Sequence, residues 1–331
     1  MNCNLYGTLG PGCAGADTLE AMFAAGMTGV RLNLSHVGLA GAAPALESLH
    51  TAAARAGVRP QLLIDLQGPE LRIGALPAPL ELTEGAAVLL GAGGVPVPQA
   101  VLPFLLPGQQ VLLDDGKLLA RVTGLAAGGA RAQVLRGGLL RGKKSIALPG
   151  AEIEPPTLTD ADRANLALAR GCGVTAVMQP FVRGRADLEA VRRALADAGA
   201  PDIRLLAKIE NQSGVDHLDE LIPACDEIVI ARGDLGNAVG LIALPALQKR
   251  IAARCRRAGR PFMVVTQLLA SMEEHLVPTR AEVSDIFNAV LDGAASLMVT
   301  GETAVGRYPV QTMQVLAQTA AAAADYLAAG A

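Results

Sequence analysis

Eight short apolar runs recur along the chain, and a segment rich in alanine and leucine follows each of them. The runs predict strands at 4–10, 29–35, 61–66, 175–181, 204–210, 227–232, 261–267 and 296–302. The other segments predict helices at 17–25, 42–56, 160–170, 186–198, 213–222, 244–258, 279–291 and from 310 onward. Side chains able to cap a helix N-terminus stand at Asp17, Asp160, Ser213 and Thr279. Eight strands alternating with eight helices predict an α/β fold, the (β/α)8 or TIM barrel.

The third repeat is interrupted after residue 71. Residues 72–145 are rich in Gly, Pro, Val and Leu, and "DDG" at 114–116 is typical of a turn between short strands. A structureless loop of this length is uncommon inside a compact domain. We therefore predict a small inserted β-domain at 72–145, within a barrel made of 1–71 and 146–331.

Composition excludes several classes of protein. Of the 331 residues, 51% are hydrophobic and 2% aromatic, so aliphatic side chains must fill the core. The net charge of −3 argues against a nucleic-acid partner, which calls for a basic face. Five scattered cysteines without a CxxC pair are typical of free thiols in a reducing cytosol. We found no signal-peptide pattern and no apolar run long enough to span a bilayer, so a cytoplasmic location without a membrane partner is expected.

Polar and charged residues cluster where the predicted strands end. They are Arg31, Asn33, Ser35 and His36; Asp65, Glu70 and Arg72; Phe181 and Arg183; Lys208 and Glu210; Arg232 and Asp234; Thr266 and Gln267; Thr300 and Glu302. Active sites of such barrels form at the carboxyl ends of the strands. Taken singly, Arg232 with Asp234, or Lys208 with Glu210, could be a plain salt bridge. Separate salt bridges do not readily explain so many charges at the same end of the strands, because a buried charge without a partner costs several kcal/mol, on the order of 3–5. Together, these residues predict one charged cavity at that end of the barrel.

The residue types indicate the chemistry of that cavity. Glu210 and Asp234 offer the hard oxygen ligands that Mg²⁺ or Mn²⁺ prefers. Oxygens of Asn33, Ser35 and Asp65 suit a larger, weakly charged cation. A transferring phosphoryl group also requires positively charged side chains around it. Arg31, Arg72 and Lys208 can supply them. Neither a Walker A sequence nor a GxGxxG fingerprint is present.

The chain resembles the pyruvate kinase family. The stretches that carry the resemblance include "GTLGP" (7–11), "AGMTGVRLNLSH" (25–36), "DLQGPELRIG" (65–74), "GKKSIALPG" (142–150), "LAKIENQSGVDHLDEL" (206–221), "IARGDLG" (230–236), "TQLLASM" (266–272), "PTRAEVSDIFNAVLDGA" (278–294) and "TGETAVGRYP" (300–309). They occur in the family's order over nearly the whole chain. The resemblance implies phosphoryl transfer from phosphoenolpyruvate to ADP, which gives pyruvate and ATP, with the inserted domain as a lid.

The resemblance also implies a role for each matching residue. Lys208 would stabilise the transferring phosphoryl group and the enolate. Glu210 and Asp234 would bind the divalent metal, and Asn33, Ser35, Asp65 and the Leu66 carbonyl would bind K⁺, with Glu70 supporting K⁺ dependence. Arg31 and Arg72 would contact phosphates, Lys144 and His36 would lie near the nucleotide, and Gly233 would bind the substrate carboxylate. Thr266 would protonate the enolate, with Glu302 in support.

The chain departs from the family at several positions. Leu66 and Gln67 replace threonine and lysine, Pro180 a small hydroxyl residue, Asn237 a glutamate and Thr300 a serine. The sequence ends after the eighth helix, without the family's C-terminal domain, so we expect no sugar-phosphate activation and a homodimer rather than a tetramer. Two alternatives stay open: a metal-dependent aldolase or lyase of oxo acids, and a non-catalytic relative that binds phosphoenolpyruvate.

Overall fold

The structure is a computed structural model that describes residues 3–330 except 115, 152 and 154. The chain divides into two compact units, Met1–Gly68 with Thr157–Ala331, and Pro69–Pro156. The insertion predicted at 72–145 lies inside the second unit. One residue of the predicted turn at 114–116, Asp115, lies outside the described residues.

The described residues contain the eight predicted barrel strands and further strands within the second unit. They are β1 (Asn4–Thr8), β2 (Gly29–Asn33), β3 (Gln61–Asp65), β4 (Leu80–Leu82), β5 (Ala87–Gly91), β6 (Gln110–Leu113), β7 (Leu118–Ala126), β8 (Gly129–Arg136), β9 (Gly138–Leu140), β10 (Ile146–Ala147), β11 (Ala176–Gln179), β12 (Arg204–Ile209), β13 (Glu227–Ala231), β14 (Phe262–Val265) and β15 (Ser296–Met298).

The first unit is a closed barrel of parallel strands in the order β1, β15, β14, β13, β12, β11, β3, β2. This confirms the predicted (β/α)8 fold and its strands. Each barrel strand ends one to four residues earlier than predicted, because the last residues of each run already belong to the following loop or helix. Aliphatic side chains such as Leu63, Met178, Leu206 and Val229 fill the barrel interior around the buried ring of Tyr6. Both faces of the strands are thus covered, which is why the runs are apolar throughout.

The helices also follow the predicted rhythm. They are α1 (Ala16–Ala24), α2 (Ala43–Ala56), α3 (Asp160–Ala169), α4 (Arg185–Asp197), α5 (Gln212–Asp216), α6 (Leu218–Ala224), α7 (Arg232–Val239), α8 (Leu244–Arg257), α9 (Arg280–Leu291), α10 (Gly301–Ala304) and α11 (Pro309–Ala328). The helix predicted at 213–222 is divided into α5 and α6 at His217, where φ is −96° and ψ is 16°. The short helices α7 and α10 were not predicted. Within the described parts of the chain, none of the helices has the length and apolar character needed to cross a membrane.

The predicted helix caps were only partly right. Thr279 caps α9 and forms a capping box with Glu282. Asp17, Asp160 and Ser213 are not the caps of their helices; Gly15, Thr159 and Asn211 hold those positions. Thr159 takes precedence over Asp160 because Asp162, three residues after Thr159, completes a capping box with it.

The second unit is built from short antiparallel strands, as the sequence predicts. In its described residues, one sheet has the order β10, β6, β7, β8, β5, and β4 pairs with β9. Side chains such as Leu90, Val111 and Leu140 form a separate hydrophobic core.

Gly68, just after β3, has a backbone conformation that favours glycine. Its φ is +61°, and an added Cβ would lie 2.6 Å from the Pro180 ring. Gly57, at the end of α2, has a similar φ of +66° but open space around the Cβ position. A substitution at Gly57 therefore tests the backbone conformation alone, and a substitution at Gly68 tests the conformation together with the contact to Pro180.

We expect Gly57→Ala to destabilise the protein by about 1–2 kcal/mol, the cost of the left-handed conformation. Gly68→Ala should cost about 1–3 kcal/mol more, because its methyl group must displace Pro180. Urea unfolding of the two variants and the parent measures both. Equal losses would contradict a close approach between Gly68 and Pro180.

Candidate active site

Lys208 lies at the centre of a buried charge network at the carboxyl ends of β12 and β3. Its Nζ is 3.1 Å from Asp65 Oδ2 and 2.9 Å from Glu210 Oε1. The three side chains are 12%, 3% and 2% exposed, in the order Lys208, Asp65, Glu210. Lys208 and Glu210 stand two residues apart, so the extended backbone directs both side chains to one side. Arg31 Nε, from β2, donates to the same Asp65 oxygen at 2.9 Å.

The network keeps Lys208 and Asp65 charged although both are buried. Burial would raise the pKa of Asp65, but Lys208 and Arg31 outweigh it and hold that pKa below its ordinary value. Burial would lower the pKa of Lys208, but Asp65 and Glu210 hold it above its ordinary value. At neutral pH the Lys208 ammonium is therefore a fixed positive charge within the site, and water cannot screen it fully.

Glu210 is a buried carboxylate with two other acids nearby. Together, the surroundings raise its pKa to about 7: burial is the largest cause, Lys208 lowers the pKa, and Asp234 and Asp65 raise it. Asp234, in the first turn of α7, is therefore close enough to repel Glu210. A divalent cation between the two carboxylates would remove this repulsion, so the donor set fits Mg²⁺ or Mn²⁺.

Protein side chains alone would not complete such a metal site. Among the described residues, no group of three or more His, Cys, Asp or Glu is arranged to hold a metal ion. Magnesium commonly uses one or two carboxylates and takes its other ligands from water and substrate. The pair Glu210 and Asp234 agrees with that pattern.

The donors predicted for K⁺ are neighbours across β2 and β3. Asn33 pairs with Asp65 in the strand register, and Leu66 follows directly. Asp65 Oδ1 is buried and accepts no hydrogen bond from any described residue. Asn33 Oδ1 accepts the Ser35 backbone N–H at 3.1 Å, which folds this segment into a turn. An unpartnered carboxylate oxygen beside an amide oxygen fits a monovalent cation.

Three of the strand-end residues, Phe181, Thr266 and Gln267, have backbones in the left-handed region. Thr266 has φ of +75° and Phe181 has φ of +50°, values that L-residues rarely adopt. Strain of this kind concentrates at functional sites. The Phe181 backbone N–H donates to Glu210 Oε2 at 2.8 Å, so its conformation helps to fix the candidate metal ligand.

Thr266 is held from two sides. Its Oγ1 accepts the Gly233 backbone N–H at 2.8 Å. Its carbonyl accepts Arg232 Nη2 at 2.7 Å, and Arg232 Nη1 is 2.6 Å from Asp285 of α9. Arg232 is thus paired with Asp285, a partner that the sequence did not indicate.

Glu302, at the start of α10, ties two loops together. Its Oε1 accepts the Leu269 N–H at 3.2 Å, and its Oε2 accepts the Thr300 N–H at 2.6 Å. The carboxylate is 1% exposed. Its observed contacts support the loop that follows Thr266.

The remaining predicted residues are His36, which is exposed, and three residues of the second unit. Within that unit, Arg72 Nη2 is 2.6 Å from Glu70, and Lys144 Nζ is 2.9 Å from Asp114. The Ile73 N–H donates to the Lys144 carbonyl at 2.8 Å, so Arg72 and Lys144 lie on adjacent segments.

Sequence reasoning missed Asp285 and Asp162. Both lie in the first two turns of a helix, α9 and α3, where an acidic residue is usually assigned to helix stabilisation alone. The only signal for Asp162 was its position three residues after Thr159. No local signal relates Asp285 to Arg232.

Comparison with known proteins decides the family. A family model described as "Pyruvate kinase, barrel domain" matches residues 2–313. The chain belongs to the pyruvate kinase family. A pyruvate kinase of Aeropyrum pernix is 38% identical over 327 residues, which cover 98% of this chain and 71% of that protein. Pyruvate kinases of Chlamydia pneumoniae and Geobacillus stearothermophilus are each 35% identical, over 93% and 95% of this chain.

The chain spans 66% of the length of the Chlamydia pneumoniae relative and 55% of the Geobacillus stearothermophilus relative. The matched part contains the barrel strands and all of the charged residues described above. The likeness therefore applies to the unit that carries the candidate site.

Several departures from the pyruvate kinase pattern have a structural explanation. Gln67, in place of lysine, donates from Nε2 to the Leu34 carbonyl at 3.3 Å. Pro180 packs against Gly68, and Thr300 retains a hydroxyl that donates to Glu302 at 3.2 Å. Asn237 is exposed, and nothing in the structure explains its replacement of glutamate.

Lys208→Met should destabilise the protein by about 3–5 kcal/mol, because Asp65 and Glu210 would remain buried without their shared cation. Lys249→Met is the matched control. It removes a bridge to Asp292 from a lysine that is 55% exposed, so it should cost at most about 1 kcal/mol. Guanidinium unfolding of both variants makes the comparison, and similar losses would argue against a buried network that depends on Lys208.

Proposed function

We propose that the protein is a phosphotransferase of the pyruvate kinase type, which moves the phosphoryl group of phosphoenolpyruvate to ADP. The observation that carries the proposal is the buried cation of Lys208, held between Asp65 and Glu210 beside a further carboxylate, Asp234. Membership of the family supports it.

Catalysis of this reaction is mainly electrostatic. The bond between phosphorus and the enol oxygen breaks, a β-phosphate oxygen of ADP takes the phosphoryl group, and the electron pair stays on the enolate. Lys208 would offset the negative charge that develops on the phosphoryl oxygens and on the enolate. Arg31, fixed by Asp65, would act as a second cation for the phosphate.

Glu210 and Asp234 would hold Mg²⁺ or Mn²⁺, and Asn33, Ser35, Asp65 and the Leu66 carbonyl would hold K⁺, with Glu70 supporting the K⁺ dependence. When bound, the cations supply further positive charge and orient the substrate oxygens. The unpartnered Asp65 Oδ1 and the raised pKa of Glu210 support this assignment.

Thr266 would deliver the proton that converts the enolate to pyruvate. Its Oγ1 already accepts a hydrogen bond from Gly233, which leaves the hydroxyl proton free to be donated. A threonine hydroxyl is too weak an acid to act alone, so the proton would come through a water molecule. Glu302 would keep the adjoining loop in place.

The other roles follow the family pattern. Gly233 would bind the substrate carboxylate, and Arg72, His36 and Lys144 would bind phosphate groups of substrate or nucleotide. A cytoplasmic location agrees with the free cysteines.

A coupled assay tests the function. With phosphoenolpyruvate, ADP, Mg²⁺ and K⁺, pyruvate should form, and omission of either cation should lower its rate. Lys208→Met should reduce kcat by at least about a hundredfold. No pyruvate above background with Mg²⁺ or Mn²⁺ and K⁺ supplied would reject the proposal. Calorimetry with ADP then tests the lyase alternative, because nucleotide binding is not expected of an oxo-acid aldolase or lyase.

Asp285→Asn should lower kcat about tenfold to a hundredfold, because Arg232 would no longer fix the Thr266 carbonyl. Exchange of the pyruvate methyl protons with solvent should slow in parallel, since that exchange depends on Thr266. Asp292→Asn, at the other end of α9, is the control and should leave both rates near those of the parent. Unchanged proton exchange in Asp285→Asn would show that Arg232 does not position Thr266.

A further inference from the structure

Asp162 is a fully buried carboxylate outside the predicted site. It lies in the first turn of α3 and is 0% exposed. Its Oδ1 accepts the Gln67 N–H at 2.8 Å, and its Oδ2 accepts the Gly68 N–H at 3.0 Å. Oδ2 also accepts the N–H and Oγ1–H of Thr159, at 2.9 and 2.8 Å. A helix cap needs only the Thr159 contacts, so those with Gln67 and Gly68 serve another purpose.

The residues that Asp162 holds adjoin the K⁺ donors. Gln67 follows Asp65 and Leu66 directly, and the Leu66 N–H donates to the Met178 carbonyl at 3.1 Å. The backbone after β3 is therefore fixed on one side by β11 and on the other by Asp162. This double attachment sets the direction of the Leu66 carbonyl.

A second link extends from Gln67 to the donors of β2. Gln67 Nε2 donates to the Leu34 carbonyl at 3.3 Å, and the Leu34 N–H donates to the Asp65 carbonyl at 2.9 Å. Leu34 lies between Asn33 and Ser35. Asp162 thus holds Gln67, and Gln67 holds the segment that carries the other two donors.

We infer that Asp162 is a positioning residue for the monovalent cation site, acting through the Gln67 and Gly68 amides. The inference rests on the proposed function for the identity of that site. Residues that orient metal ligands from outside commonly change metal affinity by about 10–100-fold when mutated. The reason here is geometric: a K⁺ ligand that is a backbone carbonyl can be oriented only through its backbone.

The same arrangement on α9 offers a matched control. Glu282, also in a capping box, accepts the Ser271 N–H at 2.7 Å and the Ser271 hydroxyl at 2.6 Å. It holds the loop after β14, which contains none of the proposed K⁺ donors. Asp162→Asn and Glu282→Gln therefore make the same chemical change at two different loops.

The test compares Asp162→Asn with Glu282→Gln and the parent. In Asp162→Asn, an amide N–H₂ would face a backbone N–H, and we expect the K⁺ concentration for half-maximal activity to rise about tenfold or more. kcat at saturating K⁺ should change far less. Glu282→Gln should leave the K⁺ half-saturation unchanged, whatever its effect on kcat. A parent-like K⁺ half-saturation in Asp162→Asn would overturn the inference.

Hydrogen exchange provides a readout that does not depend on activity. Without substrates, K⁺ in place of a large organic cation should slow exchange in a peptide containing 66–68 in the parent and in Glu282→Gln, but not in Asp162→Asn. Gln67→Met, which keeps its backbone N–H, should raise the K⁺ half-saturation in the same direction and serves if Asp162→Asn does not fold. Equal K⁺ protection in all variants would overturn the inference even if the parent had no kinase activity.

Discussion

The ammonium group of Lys208 is the interaction on which the candidate site depends. Burying Asp65 and Glu210 is costly unless a cation compensates both, and Lys208 lies within 3.1 Å of each. Arg31 balances the remaining charge of Asp65. Lys208 and Arg31 thus match the charges of Asp65 and Glu210, and Asp234 places a further carboxylate near Glu210. Two carboxylates close together can share a bound divalent cation. Burial, and to a smaller extent Asp234 and Asp65, raise the pKa of Glu210.

The loops around this network are supported by acids at the third position of barrel helices. Asp162 of α3 holds Gln67 and Gly68, Asp187 of α4 holds the Arg183 N–H at 2.9 Å, and Glu282 of α9 holds Ser271. A carboxylate has more acceptor sites than a helix cap uses. An acid at the start of a helix can therefore also bind the loop that follows a barrel strand. Such contacts hold the site residues on these loops in place.

Much of the fold could be predicted from the sequence, because the apolar runs are buried on both faces and stand out from amphipathic helices. The polar strand ends, such as Lys208 with Glu210, could be found from spacing alone. Cap positions such as Thr159 over Asp160 are harder to predict, because adjacent residues both have capping side chains and only the spacing from Thr159 to Asp162 distinguishes them. The pairing of Arg232 with Asp285 across 53 residues, and the positive φ of Thr266, have no local sequence signature.

The strained residues connect the parts of the site. A β-branched residue in the left-handed region costs about 1–3 kcal/mol and persists only where surrounding contacts compensate. At Thr266 those contacts are the Gly233 N–H on one side and Arg232 on the other. Gly233 immediately precedes Asp234, so the conformation that turns the Thr266 hydroxyl into the site also fixes the start of α7. The proposed proton donor is thus hydrogen-bonded to the two residues that directly precede the proposed metal ligand.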